Sequence, residues 1–322
     1  MISFFMPATL WHTIKNMYKL NIVMTGGTSG FGAATSTDLI NTLGTNVILG
    51  NRNSQIKGAK HIPLNLESLD NVRQFASEVV KNIRDEKIQV LICNAGMNHP
   101  DINSRTVDGF ETTFAVNHLA HFYLLRLLIP YLDANAKIIM TTSGTHDPEE
   151  NALSAPPKHA NAIWLAYPEQ DKTLDEKMAI NAQRAYSSSK LCTILTVRYL
   201  AATAMADQNN WQCIAYDPGA TPGTGLLQKG TLVMRLAWQV FTIPFLRKRI
   251  LPKSNSIKDA GITLAHLVWG KVKVPADKVY VALRAGKITF PSPSTLAQNN
   301  MLMKDLWEQS EQLLNDAKFK LV

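Results

Sequence analysis

The stretch NIVMTGGTSGFG, residues 21–32, runs a short apolar segment straight into a glycine-rich turn and then into the start of a helical pattern. NIVMT reads as a strand that is apolar throughout rather than alternating, the mark of a strand covered on both faces by helices. Glycines let a turn tighten and bring its backbone close to a phosphate, and the helix behind it offers free amides and the positive end of its dipole. The spacing of Gly26, Gly30 and Gly32 is G-x-x-x-G-x-G, which differs from the usual G-x-G-x-x-G dinucleotide fingerprint. Taken alone, the stretch fits a nucleotide loop and also a purely structural turn.

Working outward, the same alternation repeats. Strand candidates are NVILG (46–50), QVLICN (89–94), KIIMTT (137–142), QCIAYD (212–217) and KVYVAL (278–283), with a short strand before Asn65. Helical candidates lie between them at 30–43, 68–84, 107–132, 180–207, 257–269 and 297–317. Strand and helix in alternation predict an α/β fold: a Rossmann-type, doubly wound parallel sheet in three α/β/α layers. No repeat or low-complexity linker interrupts the 322 residues. The expected organisation is an N-terminal extension over 1–19 and one dinucleotide-binding catalytic domain over 20–322. That domain would carry an insertion at 145–184 and a lid region at 226–250.

Ligands on such a sheet bind beyond the carboxyl ends of the strands, so chemistry is expected in the loops that follow them. After the second strand comes Gly50-Asn51-Arg52-Asn53, with no acid to hold an adenosine ribose and repel a 2′-phosphate. Arg52 instead offers a guanidinium fork matched to phosphate, so NADP (as NADPH) is favoured over NAD. Asn65-Leu66 would meet the adenine edge. Asn94-Ala95-Gly96 permits close backbone approach, and Thr142-Ser143-Gly144 places a hydroxyl at the same edge. Within AYSSSK (185–190), Tyr186 and Lys190 lie four apart on one helix face. An ammonium there stabilises a phenolate, which makes the tyrosine a usable acid/base.

Composition narrows the classes. The chain is 46% hydrophobic and 18% charged, with net charge +8. Its basic residues are scattered and not interleaved with stacking aromatics, which argues against nucleic acid. Cys93, Cys192 and Cys213 have neither metal-ligand spacing nor an even count, which fits a reducing, cytoplasmic compartment. His118 and His121 lack a third ligand, and no metal site is expected. Residues 1–20 fall short of the ~18 apolar residues of a spanning helix. Phe4, Phe5, Leu10 and Trp11, and a second apolar run from Leu226 to Ile250 flanked by Arg247-Lys248-Arg249, leave open peripheral membrane contact.

TGGTSGFG, NAG, VNHLAHF, the serine after the fifth strand, YSSSK and DPGATPGTG fall in the order and spacing of the short-chain dehydrogenase/reductase family, and the chain resembles it over about residues 20–230. By this resemblance Tyr186 transfers the proton, Lys190 tunes it and holds the nicotinamide ribose, Ser143 positions the carbonyl, and Asn117 holds a helix and the water of a proton relay. Gly26, Gly30 and Gly32, with Thr28, Ser29 and Phe31, would cradle the pyrophosphate. Pro218, Gly219 and Thr221 would face the nicotinamide. Dimers or tetramers are common in the family, so a homo-oligomer is open.

NHLAHF (117–122), Pro156-Pro157-Lys158, AYSSSKLC and TGLL (224–227) make the chain similar to the branch holding retinol dehydrogenases and light-dependent protochlorophyllide reductases. Protochlorophyllide reductases carry a cysteine after the Pro-Gly pair, where this chain has Ala220. The expected function is therefore NADP-dependent hydride transfer to or from a bulky lipophilic carbonyl or alcohol. The alternatives are a C=C reductase of the protochlorophyllide type and a non-enzymatic dinucleotide-binding redox sensor. The insertion, with Trp164 and Tyr167, and the 226–250 run, with Met234, Leu236, Trp238, Phe241 and Phe245, would wall the substrate site.

Overall fold

The computed structural model describes residues 20–53, 55–152, 154–224 and 249–319. The N-terminal extension and all of the lid run except residues 249 and 250 lie outside them. The strands are β1 (Leu20–Thr25), β2 (Thr45–Asn51), β3 (Lys60–Pro63), β4 (Ile88–Cys93), β5 (Leu132–Thr141), β6 (Gln212–Asp217), β7 (Tyr280–Arg284) and β8 (Lys287–Thr289). They form one sheet in the order β3-β2-β1-β4-β5-β6-β7-β8. All neighbours are parallel except β7 and β8. The order reverses direction at β1, between β2 and β4, and there the cleft beyond the strand ends opens.

The helices named here are α1 (Gly30–Ile40), α2 (Leu69–Ile83), α3 (Thr112–Phe114), α4 (Ala120–Leu128), α5 (Ala162–Ala166), α6 (Met178–Ala201), α7 (Ala204–Gln208), α8 (Ile257–Val268), α9 (Thr295–Gln298) and α10 (Asn300–Asp316). Two apolar clusters, one on each face of the sheet, give the three layers. Phe75, Phe114, Phe122 and Leu195 belong to one; Leu39, Tyr216 and Leu264 belong to the other. Burying a side chain of this size contributes ~1.5–3 kcal/mol, so the strands are held from both sides, as their unbroken apolar character required. Cys93, Cys192 and Cys213 are all buried and unpaired. Among the described residues no helix is long and apolar enough to cross a membrane.

Four departures from the sequence reading have local causes. The helix expected from 107 begins at Thr112, because Gly109 (φ +88°) closes a tight turn in which the Thr106 N–H donates to the Phe110 carbonyl. Glu111 then caps α3 by accepting from the amides of Thr113 and Phe114. The span 180–207 is two helices, divided where Thr203 caps α7. The span 297–317 is divided by Asn299, which caps α10. The unforeseen β8 follows a two-residue turn with Ala285 at φ +50° and Gly286 at φ +76°, the backbone sense that suits a tight hairpin.

Candidate active site

Gly26 stands at the end of β1 with φ +66°, and a Cβ there would lie 2.6 Å from the Cα of Ala95. The turn therefore needs glycine for its conformation and also for its contact with the loop after β4. Gly32 answers a different demand: a Cβ on it would lie 2.0 Å from the Gly26 carbonyl oxygen. Asn94 ties these loops together, donating from Nδ2 to that carbonyl (2.9 Å) and accepting at Oδ1 from Thr141 Oγ1 (2.9 Å). The Thr25 hydroxyl accepts the amides of Asn94 (3.0 Å) and Ala95 (3.1 Å). The ends of β1, β4 and β5 are thus one hydrogen-bonded unit, and Ser29 begins α1 with no side-chain cap on its amides.

This unit floors a cavity of about 920 Å³. Gly26, Thr28, Ser29, Gly30, Phe31, Gly32, Arg52, Asn65, Leu66, Asn94, Ala95, Gly96, Ser143, Tyr186, Lys190, Pro218, Gly219 and Thr221 all line it. Asn117 is not among the lining residues. It sits in a π-helical turn, Ala115–Leu119, between α3 and α4. Its side-chain amide accepts from the Met97 N–H (2.8 Å) and donates to the Met97 carbonyl (2.8 Å) and to Ser189 Oγ (3.0 Å). Ser189 in turn donates to the Tyr186 carbonyl at 2.6 Å. Asn117 therefore braces the loop after β4 against α6, the helix that carries Tyr186 and Lys190.

Tyr186 and Lys190 are both buried, 6% and 4% exposed. The Lys190 ammonium lies 5.7 Å from the centre of the Tyr186 ring and donates to the Thr141 carbonyl at 3.1 Å. Burial raises the Tyr186 phenol well above its ordinary range, although its hydrogen bond with the Ser143 side chain works the other way. Burial also lowers Lys190 to about 8, against the pull of the Asp217 carboxylate. In a site of low dielectric both groups lean toward their neutral forms. The phenol is consequently protonated at neutral pH.

Asp217, next to Pro218-Gly219, is fully buried and was not foreseen. It accepts from Tyr280 Oη (2.7 Å), Arg284 Nη2 (2.7 Å) and the Gly219 amide (2.8 Å). Arg284 also donates to Glu150 at 3.1 Å, and Lys253 to Glu150 at 3.3 Å. Burial opposes the Arg284 charge, but Asp217 and Glu150 more than restore it. These partners lie 67 and 134 residues from Arg284, so no local spacing announces them. Of the insertion, Thr145, Glu150, Asn151, Ala152, Ser154 and Gln183 reach the cavity. Trp164 packs on His159 and Tyr167 on Phe110 instead, outside the cavity lining. Met97, Val116, Ile250, Leu251 and Pro252 supply apolar wall. Among the described residues no cluster of His, Cys, Asp and Glu is placed to hold a metal.

The family model for short chain dehydrogenases matches residues 20–155. Protochlorophyllide reductase B, chloroplastic, of Hordeum vulgare is 31% identical over an alignment spanning 93% of this chain and 80% of its own length. Protochlorophyllide reductase A, chloroplastic, of Arabidopsis thaliana is 30% identical, at 93% and 78% coverage. Among solved structures, an uncharacterized protein from Mycobacterium Paratuberculosis superposes with a TM-score of 0.64 at 24% identity, covering 94% of this chain and 95% of that one. The NADPH-bound carbonyl reductase from chicken fatty liver gives 0.55 at 15% identity, covering 85% and 100%. Both show the fold. The sheet order, the glycine turn and its cavity, and relatives that align along nearly the whole chain agree: the chain belongs to the short chain dehydrogenase family and is a nicotinamide-dependent oxidoreductase.

Proposed function

We propose that this enzyme uses NADPH to reduce a bulky, largely lipophilic carbonyl compound, with Tyr186 as the proton donor. The observation that carries the reading is the convergence of the Tyr186 phenol, the Ser143 hydroxyl and the Lys190 ammonium in one cavity with the glycine turn. A reduced nicotinamide supplies the hydride when bound. Ser143 holds the substrate oxygen, Tyr186 gives it a proton, and Ser143 and Lys190 stabilise the phenolate left behind. The glycine turn suits a dinucleotide, because Gly26, Ser29, Gly30 and Gly32 line the cavity at the start of α1, where no side chain caps the helix amides. Arg52, which lines the cavity after β2 and is flanked in the sequence by Asn51 and Asn53 with no acid, supports NADPH over NADH. The apolar wall supports a lipophilic substrate, while Asn151 and Gln183 offer it hydrogen bonds on one side.

A second reading, reduction of a C=C bond, is favoured by the protochlorophyllide reductases that align along 93% of the chain. Against it stands Ala220, an exposed methyl on the cavity wall. The test begins with fluorescence titration by NADPH and NADH. Tight NADPH binding that weakens at least tenfold in Arg52→Ala, with NADH unaffected, is expected. Tyr186→Phe is then expected to bind NADPH normally and lose turnover of lipophilic aldehydes and ketones by two orders of magnitude or more. Turnover of protochlorophyllide in light, with carbonyl compounds untouched, would replace the first reading by the second.

A further inference from the structure

We propose that His146 is a positioning residue of this site: a neutral imidazole, fixed as the Nδ1–H tautomer, that locks the backbone of Ser143 onto the chain segment beginning α9. The proposal rests on the assignment of Ser143 and Tyr186 made above.

His146 closes the 3₁₀ turn Gly144–His146 and is fully buried. Its Nδ1 lies 2.8 Å from the Ser143 carbonyl oxygen, and its Nε2 lies 3.2 Å from the Ser294 backbone nitrogen. A carbonyl can only accept and an amide N–H can only donate, so the pair admits one protonation state: hydrogen on Nδ1 and a lone pair on Nε2. An imidazolium would set two N–H groups against each other at Ser294. Burial, the largest influence on the ring, also favours the neutral form, and Arg284 acts in the same direction; the hydrogen bond to the Ser143 carbonyl, Asp217 and Asp147 pull the other way. The ring meets Tyr280 edge-on, with centroids 5.2 Å apart, and Tyr280 holds Asp217.

The Ser143 carbonyl also accepts from the His146 amide at 3.3 Å, so both its lone pairs are used. The Ser143 hydroxyl accepts from the Thr145 amide at 3.3 Å. Carbonyl and side chain of Ser143 are therefore both held by the turn that His146 anchors, and that side chain lines the same cavity as Tyr186 and pulls its phenol back toward the ordinary range. The anchor at the other end is Ser294, whose own side chain caps α9 by accepting from the Ala297 amide. A segment nearly 150 residues downstream thus sets where the reacting serine points.

The test places 3-fluorotyrosine at position 186 and reads its ¹⁹F resonance, which needs no substrate. Ser143→Ala defines the resonance without the Ser143 contact. His146→Leu is expected to move the signal most of the way to that position. His146→Gln, which can still donate to Ser143 and accept from Ser294, is expected to restore it, with NADPH affinity unchanged in both. A His146→Leu resonance that stays at the wild-type position overturns the proposal. Should His146→Leu fail to fold, the wild-type protein with ¹⁵N-labelled histidine decides: a protonated Nδ1 and bare Nε2 at neutral pH are expected, and the opposite tautomer overturns the proposal. If Tyr186→Phe keeps its turnover while the ¹⁹F signal still follows His146, the catalytic reading fails and the positioning stands.

Discussion

Replacing Gly32 by alanine sets two effects of known size against each other. Gly32 lies in the first turn of α1, and alanine there gains ~1 kcal/mol of helix propensity. Its φ is not in the left-handed region, so no backbone strain is added. The new methyl, however, would sit 2.0 Å from the Gly26 carbonyl oxygen and 2.7 Å from Asn94 Nδ2. Neither is the free end of a flexible chain, so the Gly26 carbonyl must leave its 2.9 Å hydrogen bond with Asn94. Overpacking costs ~1–3 kcal/mol, and a part-buried amide left unpaired costs ~1–3 kcal/mol more. The clash wins, leaving a net loss of roughly 1–5 kcal/mol. Thermal denaturation should register this as a fall of at least a few degrees. If the turn holds the pyrophosphate as proposed, NADPH titration should show at least ~10-fold weaker binding, since losing one amide hydrogen bond costs about 1.4 kcal/mol or more. Gly109→Ala is the control: its φ of +88° adds strain, but nothing lies within 4 Å of its Cβ, and NADPH affinity should hold. A Gly32→Ala protein that melts at or above the wild-type temperature and binds NADPH within twofold of it would refute the packing argument.

Two further outcomes follow from buried charge. Arg284→Met leaves the Asp217 carboxylate buried with only the Tyr280 hydroxyl and the Gly219 amide, and should cost ~3–5 kcal/mol in urea denaturation, part of it recovered by Arg284→Lys. Glu111, 1% exposed, has its carboxyl raised to about 7 by burial, although the amides of Phe114 and Thr113 lower it. The folded chain then binds that proton more tightly than the unfolded one. Its contribution of ~3 kcal/mol is present below the unfolded pKa and lost as pH rises through about 7. The urea midpoint of the wild type should accordingly fall between pH 5.5 and 8 more steeply than that of Glu111→Gln.

Much of this molecule can be read along the chain because its information is local. Unbroken apolar runs announced β1, β2, β4, β5, β6 and β7, and each polar switch after a strand reached the same cavity. Tyr186 and Lys190 could be paired because a helix puts i and i+4 on one face. What escaped is non-local or ambiguous. Asp217, Arg284 and Glu150 come from three distant segments, and nothing in the spacing of any one of them points to the others. His146 reads as a turn residue, since its partner Ser294 lies far downstream. The aromatic residues of the insertion were expected at the substrate wall, but Trp164 and Tyr167 are taken up by His159 and Phe110. An aromatic residue signals burial without saying against what.

On one side of β1 the sheet grows in chain order: β4, β5, β6, β7, β8. A ribosome delivers these strands in the sequence in which they stack, so each can add to an edge that already exists. The C-terminal elements come last and touch the parts that matter most. Trp307 of α10 stacks on Tyr199 of α6 at 4.3 Å, and Ser310 accepts a hydrogen bond from His118 of the π-helical turn. Until α10 emerges, the helix bearing Tyr186 and Lys190 presents that apolar flank to solvent. Domains fold from the N-terminus as they are made, and here the nascent chain holds a nearly finished cavity floor well before the turn at Ser143 receives its last anchor.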